Sequence, residues 1–487
     1  MKTMKKNTKK LIIRIGCAII LILATCCQDW LSIEPENDLI KEKFWTKKAD
    51  VESALAAAYD ALRSSSLQSL IFGELRADLV EFTGDAFSNY QKIAASNISP
   101  TNSVIDWSKY YKAINLANTL MHYDDEVFEK DQTFTQELKD AYEAEALFIR
   151  SIAYFYLIRL WKDVPLVLEA SISDTSNLYV AKSPENVVLN QLIDDLHYAK
   201  DIAYTTEFRG SDYFYGRANR NSILALLADI YLWKEEYQNC ITICDEIINS
   251  GLYSLEPTST MFNIYYPGNS PLESIIEIQY DDGLPDQENP VYYDMIRVTG
   301  DYQANLITSN VEMIMALDDL RNFRGAGAIW KYAGKDALGR IPRSYSERDA
   351  NWILYRFADI LLMKAEACIE LNRFSDANQL IGTTLLRAGM PYTDNNDKEL
   401  LRKELLNERG REFMFEGKRW FDFLRAAKRD GFARKDIIID MILSGADVQQ
   451  QAILRTRVFD TLSYYLPIPE RELNYNQNLE QNPYYER

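Results

Sequence analysis

The residues best suited to hold a ligand lie in three stretches, 83–106, 257–301 and 321–351, where Gly, Pro, Asn, Asp and aromatic residues concentrate and helical periodicity fades. Loops longer than about 15 residues within a compact domain are usually functional or carry small elements of their own. An exposed ring offers a flat apolar face to the C–H groups of a sugar, while Asp, Asn and Arg fix hydroxyl groups by directional hydrogen bonds. The predicted ligand contacts are Asp85, Phe87, Asn89, Tyr90, Tyr292, Tyr293, Tyr302, Arg324, Trp330 and Tyr332.

Trp330 is the strongest single candidate among these residues. Glycines at 325, 327 and 334 flank it in a segment with little helical pattern, so there is little obvious core for its ring to join. Trp107, by contrast, begins a helical run, and we interpret it as a core residue. For each loop aromatic the alternative is local packing, since most aromatic side chains in proteins are buried.

Catalytic and metal-binding chemistry has little support in the sequence. The two histidines, His122 and His197, cannot assemble a multi-histidine metal site, and no glycine-rich loop of the kind that cradles phosphate is evident. The acidic stretches 281–282 and 286–288 are solvated charge or, as the alternative, a calcium site. With 72 acidic residues a pair of carboxylates at glycosidase separation is easy to find, so a polysaccharide hydrolase stays an alternative. We predict no catalytic residue, no metal and no cofactor.

The composition indicates a globular protein with a large core. Of its 487 residues 47% are hydrophobic, and the 31 Tyr, 20 Phe and 8 Trp are unusually many. Such rings fill cores and also form the platforms on which sugars and peptides dock. The net charge of −18 argues against a nucleic-acid partner, because phosphate binding requires clustered Lys and Arg.

The N-terminus has the pattern of a cleaved secretory signal. Residues 1–10 carry five lysines and no acid, and the apolar run 15–24 has 10 residues, half of the ~20 that a membrane-spanning helix needs. The segment ends in Cys26 and Cys27, and a cysteine behind small residues is typical of bacterial lipoprotein signals. We predict a lipoprotein signal over 1–26 and a lipid on Cys27, with Cys26 as the alternative. A plain secreted protein is the other alternative.

Helical segments show the spacing of tetratricopeptide (TPR) helix pairs, with small residues where two helices touch and large ones between them. We predict one pair around Ala228 and Cys240 and a second around Ala365 and Ala377. Cys240 and Cys244 are then small core residues rather than a metal or redox site. The predicted fold is mostly α, with TPR-like helix pairs forming a right-handed superhelical scaffold and long loop-rich insertions that carry the ligand face.

Two local signals predict where helices begin and end. Gly251 should end the second helix of the first pair in a left-handed conformation. The run Ser183-Pro184-Glu185 predicts a helix start with Ser183 as the N-cap.

Several blocks of the sequence, in order, resemble the SusD/RagB family of surface lipoproteins. The blocks are CQDWL at 27–31, RSIAYFYLIRLWKDVP at 150–165, WILYRFADILLMKAEA at 352–367, ERGREF at 408–413, EGKRWFD at 416–422 and YLPIP at 465–469. Lys162 departs from the Gly usual in the family, a minor change at a helix end. The resemblance covers nearly the whole chain and divides it into an N-terminal region, 27–256, and a C-terminal region, 257–487.

The resemblance implies a binding function without chemistry. Members of the family lie on the outer surface of Gram-negative cells, capture oligosaccharides or in some branches peptides, and deliver them to a SusC-type TonB-dependent outer-membrane transporter. The helical-repeat side packs on the transporter, and inserted loops form the ligand face. We therefore expect an outer-membrane, surface-exposed lipoprotein with an oligosaccharide ligand; a peptide-binding member, an interaction scaffold and, least favoured, a hydrolase are the alternatives.

The shared blocks contain arginines among aromatic core positions. Arg150, Arg159, Arg411 and Arg419 recur close in sequence to acids such as Glu145, Glu412 and Asp422. Arginine in such surroundings favours forked hydrogen bonds and stacking between helices. We predict a structural rather than a catalytic role for them.

The lipid anchor can be tested by labelling. We expect the precursor to incorporate palmitate, and replacement of both Cys26 and Cys27 by Ser to abolish the label and release the protein in soluble form. Labelling retained in the double variant would contradict the predicted anchor.

Overall fold

The computed structural model describes residues 44–81, 88–173, 177–205, 212–290, 308–322 and 347–486, together with Lys331, Gly334, Arg340 and Arg343. From Lys47 onward these residues belong to one compact unit, Lys47–Arg487. The signal 1–26, with Cys26 and Cys27, lies outside the described residues and stays a prediction, as do the region boundaries 27–256 and 257–487.

The described part of the chain is mostly α, as predicted. Its helices are α1 Lys48–Arg63, α2 Ser66–Leu70, α3 Asn89–Ala94, α4 Ser108–Lys130, α5 Gln136–Trp161, α6 Glu185–Ile202, α7 Asp212–Gly216, α8 Arg220–Trp233, α9 Tyr237–Asn249, α10 Val311–Ile314, α11 Phe357–Glu370, α12 Phe374–Arg387, α13 Lys398–Phe413, α14 Arg419–Phe432, α15 Asp436–Ser444, α16 Val448–Val458 and α17 Glu470–Tyr475. A π-helix, Ile71–Leu75, follows α2, and 3-10 turns cover Met261–Ile264, Thr461–Tyr464 and Pro483–Glu486. Among the described helices, none combines the length and the apolar character needed to cross a bilayer.

Both predicted TPR-like pairs are present, as α8 with α9 and as α11 with α12. The side chains predicted at the helix contacts, Ala228, Cys240, Ala365 and Ala377, are fully buried. In each pair a residue with positive φ turns the chain between the helices, Glu235 at +63° and Asn372 at +59°. Gly251, predicted as a left-handed stop, has a φ of +64°.

The two pairs are distant in sequence but stack directly in space. Helix α9 packs on α11, and Cys240 Sγ lies 4.0 Å from the Met363 carbonyl oxygen. Before them α1 packs on α4, α4 on α5, α5 on α6 and α6 on α8, so successive helices form a continuous row. Such a row buries a core that no single pair could close by itself, which is how helical repeats gain stability.

Two short antiparallel strand pairs connect the helices. Strand β1 (Val164–Pro165) pairs with β2 (Lys182–Ser183), and β3 (Ser274–Ile278) pairs with β4 (Trp352–Arg356). The prediction that Ser183 caps a helix is wrong. Ser183 lies in β2 opposite Val164, and the first amide of α6, Glu185 N, donates instead to Asp163 Oδ1 at 3.0 Å.

The arginines of the shared blocks have the predicted structural role, but apart from Arg411, which binds Glu408 three residues before it, their partners are distant in sequence. Arg150 donates from Nε and Nη2 to Asp195 Oδ2 at 3.1 and 2.7 Å. Arg419 donates from Nε and Nη2 to the two carboxylate oxygens of Asp78, at 2.8 and 2.9 Å. Neighbouring residues on a helix point in different directions, so the nearest acid in sequence rarely faces the arginine. The acids have other partners: Glu145 binds Arg217, Glu412 binds Arg321, Arg356 and Arg387, and Asp422 binds Arg409 and Arg425.

The backbone of the π-helix Ile71–Leu75 packs directly against the backbone of the turn after α13. A Cβ on Gly73 would lie 2.1 Å from the Gly417 carbonyl oxygen, so both positions require glycine, and Gly417 also has a φ of +73°. Beside this contact the buried Glu74 accepts hydrogen bonds at Oε1 from the amides of Gly417 and Lys418, at 2.8 and 3.2 Å. Burial raises the pKa of Glu74 from 4.5 to about 8, although these amides, Lys331 and Arg419 act to lower it.

The raised pKa of Glu74 predicts a pH dependence of stability. Between about pH 4.5 and 8 the folded protein keeps a proton that the unfolded chain releases, so the free energy of unfolding should fall as the pH rises. Glu74→Gln keeps the Oε1 acceptor and removes the titration. Relative to wild type, its free energy of unfolding in urea should rise by up to about 3 kcal/mol from pH 5 to pH 8. The exposed Glu129→Gln is the control, and an identical pH dependence in wild type and Glu74→Gln would contradict the prediction.

Candidate functional site

Two of the predicted contact residues lie within the described residues. Asn89 and Tyr90 form the first turn of α3, and both are half-buried. Ser88 caps this helix by accepting from the Gln91 amide at 3.2 Å. The other predicted contacts lie outside the described residues and stay predictions: Asp85, Phe87, Tyr292, Tyr293, Tyr302, Arg324, Trp330 and Tyr332.

The loop after α3 holds Asn89 in place. Asn89 Nδ2 donates to Ser103 Oγ at 2.8 Å, and its carbonyl oxygen accepts from Asn102 Nδ2 at 3.1 Å. Gln68 Nε2 donates to the Asp106 carbonyl oxygen at 2.8 Å, which ties the end of this loop to α2. The side-chain amide nitrogen of Asn89 is therefore engaged within the protein, and the half-buried ring of Tyr90 stands beside it on an ordered segment.

The described residues that border the first two predicted ligand stretches are joined to each other. Thr308 N donates to the Leu79 carbonyl oxygen at 3.1 Å, and Asn310 Nδ2 donates to the Asp78 carbonyl oxygen at 3.1 Å. Residue 308 follows the gap 291–307, and Leu79 precedes the gap 82–87. Arg419, the first residue of α14, also binds the Asp78 carboxylate. The N-terminal border of the first stretch and the C-terminal border of the second are thus held at the start of α14.

Arg321, the first residue of the third stretch, and Lys331 within it both bind the end of α13. Arg321, before the gap 323–330, donates from Nη1 to Glu412 Oε2 at 2.7 Å and to Glu408 Oε1 at 2.8 Å. Lys331, after that gap, donates to the Glu412 carbonyl oxygen at 2.7 Å and to Glu416 Oε1 at 2.6 Å. The end of α13 and the start of α14 therefore hold the N-terminal border of the first stretch, the C-terminal border of the second, and two residues of the third.

These anchors are buried and held by charge. Arg321 is 2% exposed and Lys331 is 4% exposed. Burial would raise the pKa of Glu412, but the Arg387, Arg356 and Arg321 guanidiniums lower it well below its usual value. Burial lowers the pKa of Lys331 to about 8, although the Glu416 carboxylate acts to raise it. The anchors are thus ionic and inaccessible to ligand, so they position the neighbouring loops rather than bind.

The acidic stretch after β3 is engaged by the protein itself. Asp281 Oδ1 accepts from the Gly283 amide at 2.9 Å, Asp282 Oδ2 accepts from the Arg348 amide at 2.8 Å, and Glu288 pairs with the Arg348 side chain. Among the residues that the structure describes, no group of three or more His, Cys, Asp or Glu side chains is placed to hold a metal ion. Asp281, Asp282 and Glu288 therefore all have hydrogen-bond or ion-pair partners within the protein.

A large cleft that sequence reasoning missed lies between α1 and β3. Its volume is about 1060 Å³, and its walls include Ala56 and Tyr59 of α1, Arg217 after α7, and Gln279 and Gln287 after β3. Neither Asn89 nor Tyr90 lines it. Ala56 and Ala57 leave space on this face of α1, but the sequence alone does not show that β3 packs opposite them.

Comparison with known proteins covers almost the whole chain. The family model described as "SusD family" matches residues 232–485, and the model described as "Starch-binding associating with outer membrane" matches 29–232. The SusD-like protein P38 of Formosa agariphila is 27% identical over an alignment of 482 residues. The alignment spans 87% of this chain and 92% of the relative.

Solved structures share the fold. A laminarin-binding SusD-like protein superposes with a TM-score of 0.68 at 21% identity, covering 90% of this chain and 99% of that one. Surface glycan-binding protein A from Bacteroides uniformis superposes with a TM-score of 0.70 at 21% identity, covering 90% and 100%. With helix pairs, arginine-rich blocks and family models in agreement, the chain belongs to the SusD family.

Proposed function

We propose that this protein is a lipid-anchored, surface-exposed protein of the outer membrane that captures an oligosaccharide and delivers it to a SusC-type TonB-dependent transporter. The observation that carries the proposal is the match of two family models over 29–485, one of them described by starch binding and the outer membrane. The laminarin-binding and glycan-binding neighbours of the same fold favour a glycan over the alternative, a peptide.

The geometry of the anchors supports a ligand face made by the three loop stretches. One border of each of the first two stretches is held through Asp78 at the start of α14, and Arg321 and Lys331 of the third stretch bind Glu412 at the end of α13. Convergent loops on a rigid scaffold are a common way to build a binding site. The proposed contacts on this face are Asp85, Phe87, Asn89, Tyr90, Tyr292, Tyr293, Tyr302, Arg324, Trp330 and Tyr332.

Capture and delivery require no catalytic residue, and two buried carboxyl groups with lowered pKa values, Glu366 and Asp359, fit structural roles. Burial opposes ionisation of Glu366, but Arg425 and Arg429 lower its pKa to about 2. Lys418 and Arg409 likewise lower the pKa of Asp359, and both Asp359 and Glu366 are buried. A carboxylate held ionised between cations has neither the raised pKa of a general acid nor access to a substrate.

The proposed ligand face is tested by comparing two tryptophans. Trp330→Ala should weaken binding of laminarin- or starch-derived oligosaccharides at least several-fold, measured by calorimetry, and leave the melting temperature nearly unchanged. Trp107, 3% exposed and packed against Tyr111 and Trp161, is the control. Its replacement by Ala should cost about 3–5 kcal/mol of stability, as expected for a deleted core aromatic. Equal destabilisation by both changes would show that Trp330 is structural.

The transporter partner is tested by extraction. A tagged protein, solubilised with its membrane in mild detergent, should co-purify with a large outer-membrane β-barrel protein, because the resemblance assigns the helical-repeat side to that contact. Recovery of the monomer alone, under conditions that preserve other membrane complexes, would contradict the proposed delivery step and leave glycan capture to be judged by calorimetry.

A further inference from the structure

The cleft between α1 and β3 is shaped by small side chains on one wall. Ala56 and Ala57 of α1 face it and are exposed or half-buried, while Ala58 next to them is fully buried in the core. On the far side Ile276 and Ile278 belong to β3. A volume of about 1060 Å³ is at the upper end of ligand sites, which typically run from about 300 to 1,000 Å³.

One aromatic ring on this wall is held rigidly. Tyr59 donates from its hydroxyl to Glu145 Oε2 at 2.6 Å and accepts there from the Ala218 amide at 2.7 Å. Arg217 forms a bidentate pair with the same Glu145, donating from Nε to Oε2 at 2.9 Å and from Nη2 to Oε1 at 2.5 Å. The ring of Tyr59 is half-buried. A ring whose position is set by its own hydroxyl is a preorganised platform for an apolar sugar face.

The opposite wall presents fixed amides. Gln279 Nε2 donates to Asn269 Oδ1 and Asn269 Nδ2 donates to Gln279 Oε1, both at 2.9 Å. Asn351 Nδ2 donates to Gln279 Oε1 at 3.2 Å and to the buried Glu277 Oε2 at 3.0 Å. Gln287, half-buried, also lines the cleft. Gln279 Nε2 also donates to the Glu277 carbonyl oxygen at 3.2 Å, so the amide of Gln279 is fully engaged within the protein, and the amide of Gln287 supplies the donor and acceptor for a hydroxyl group.

Each cation of the cleft is paired with an acid, whereas the buried Glu277, which also lines the cleft, is hydrogen-bonded to Ser274 and Asn351. Lys48 lies 3.6 Å from Glu52, Arg63 contacts Asp60, and Arg217 is bound to Glu145. These paired side chains offer an incoming anion or cation little net attraction, in a chain whose overall charge is −18. A rigid ring, the amide of Gln287 and cations that are already paired with acids together suit an uncharged ligand rich in hydroxyl groups.

We propose that this cleft is a second binding site of the protein, separate from the loop face, and that it takes a segment of a neutral oligosaccharide. Tyr59 is the aromatic platform, and Gln287 is the polar contact. The proposal rests on the proposed function, because it adds a second site for the same class of ligand. A second site raises the avidity for long glycan chains without requiring a tighter primary site.

The test fills the cleft without touching the core. Ala56→Trp places a large side chain into the cleft from an exposed helix position, and Ala49→Trp, on the same helix and also exposed but outside the cleft, is the matched control. Both variants should melt as wild type. In calorimetry with neutral laminarin- and starch-derived oligosaccharides, Ala56→Trp should lose one class of site and bind long chains at least about 5-fold more weakly, because the avidity of two linked sites is lost. Gln287→Ala should show a smaller loss.

The outcomes separate this inference from the proposed function. Glycan binding by wild type that is unchanged in Ala56→Trp, or reduced equally in Ala49→Trp, would overturn the cleft site and leave glycan capture standing. Tighter binding of a sulfated or uronic glycan than of the neutral chains, lost in Ala56→Trp, would overturn the assignment to neutral ligands. No binding of any glycan by wild type would overturn the proposed function and with it this site.

Discussion

The ion cluster around Glu412 is the interaction on which the rest of the structure depends. Three guanidiniums converge on this carboxylate, from Arg321, Arg356 and Arg387, and the ammonium of Lys331 binds its backbone oxygen. The acid and all four cations are less than a tenth exposed. Moving such charges out of water is costly, so they persist only because each has partners at hydrogen-bond distance. Loss of the Glu412 charge would leave three buried guanidiniums with one counter-charge fewer among them.

The cluster links the helical row to the parts of the chain that face ligand. Arg356 ends β4 and also binds Glu273, next to the start of β3, at 2.6 Å, so the strand pair that walls the cleft is fastened to α13. Arg321 and Lys331 fasten the stretch that contains Trp330 to the same helix. Both proposed ligand surfaces therefore rest on one rigid base, which agrees with binding sites whose geometry is set before the ligand arrives.

The sequence predicted the helix pairs well because their signal is local and periodic. Ala228 and Cys240 stand at helix contacts, and Gly251 has the left-handed conformation that ends its helix. Long-range contacts left no such signal. Arg419 and its partner Asp78 are 341 residues apart, and the cap of α6 came from Asp163 across a strand pair rather than from Ser183.

The candidate site was predictable only in part, for the same reason. Loop composition identified stretches whose borders the structure brings together, but which rings contact ligand cannot be deduced from composition, since packing and binding use the same side chains. The cleft was missed because α1 and β3 are each unremarkable alone and more than 200 residues apart. Only their packing creates the space between Ala56 and Gln279.

The most direct test of this account is the free energy of unfolding in urea of Glu412→Gln. The account predicts a loss of about 3–5 kcal/mol, because the substitution removes the shared counter-charge of buried arginines. Glu126→Gln, at an exposed pair with Lys130, is the matched control and should change stability by no more than about 0.5 kcal/mol. If both substitutions had the same small effect, the Glu412 cluster would not be the base on which the ligand surfaces rest.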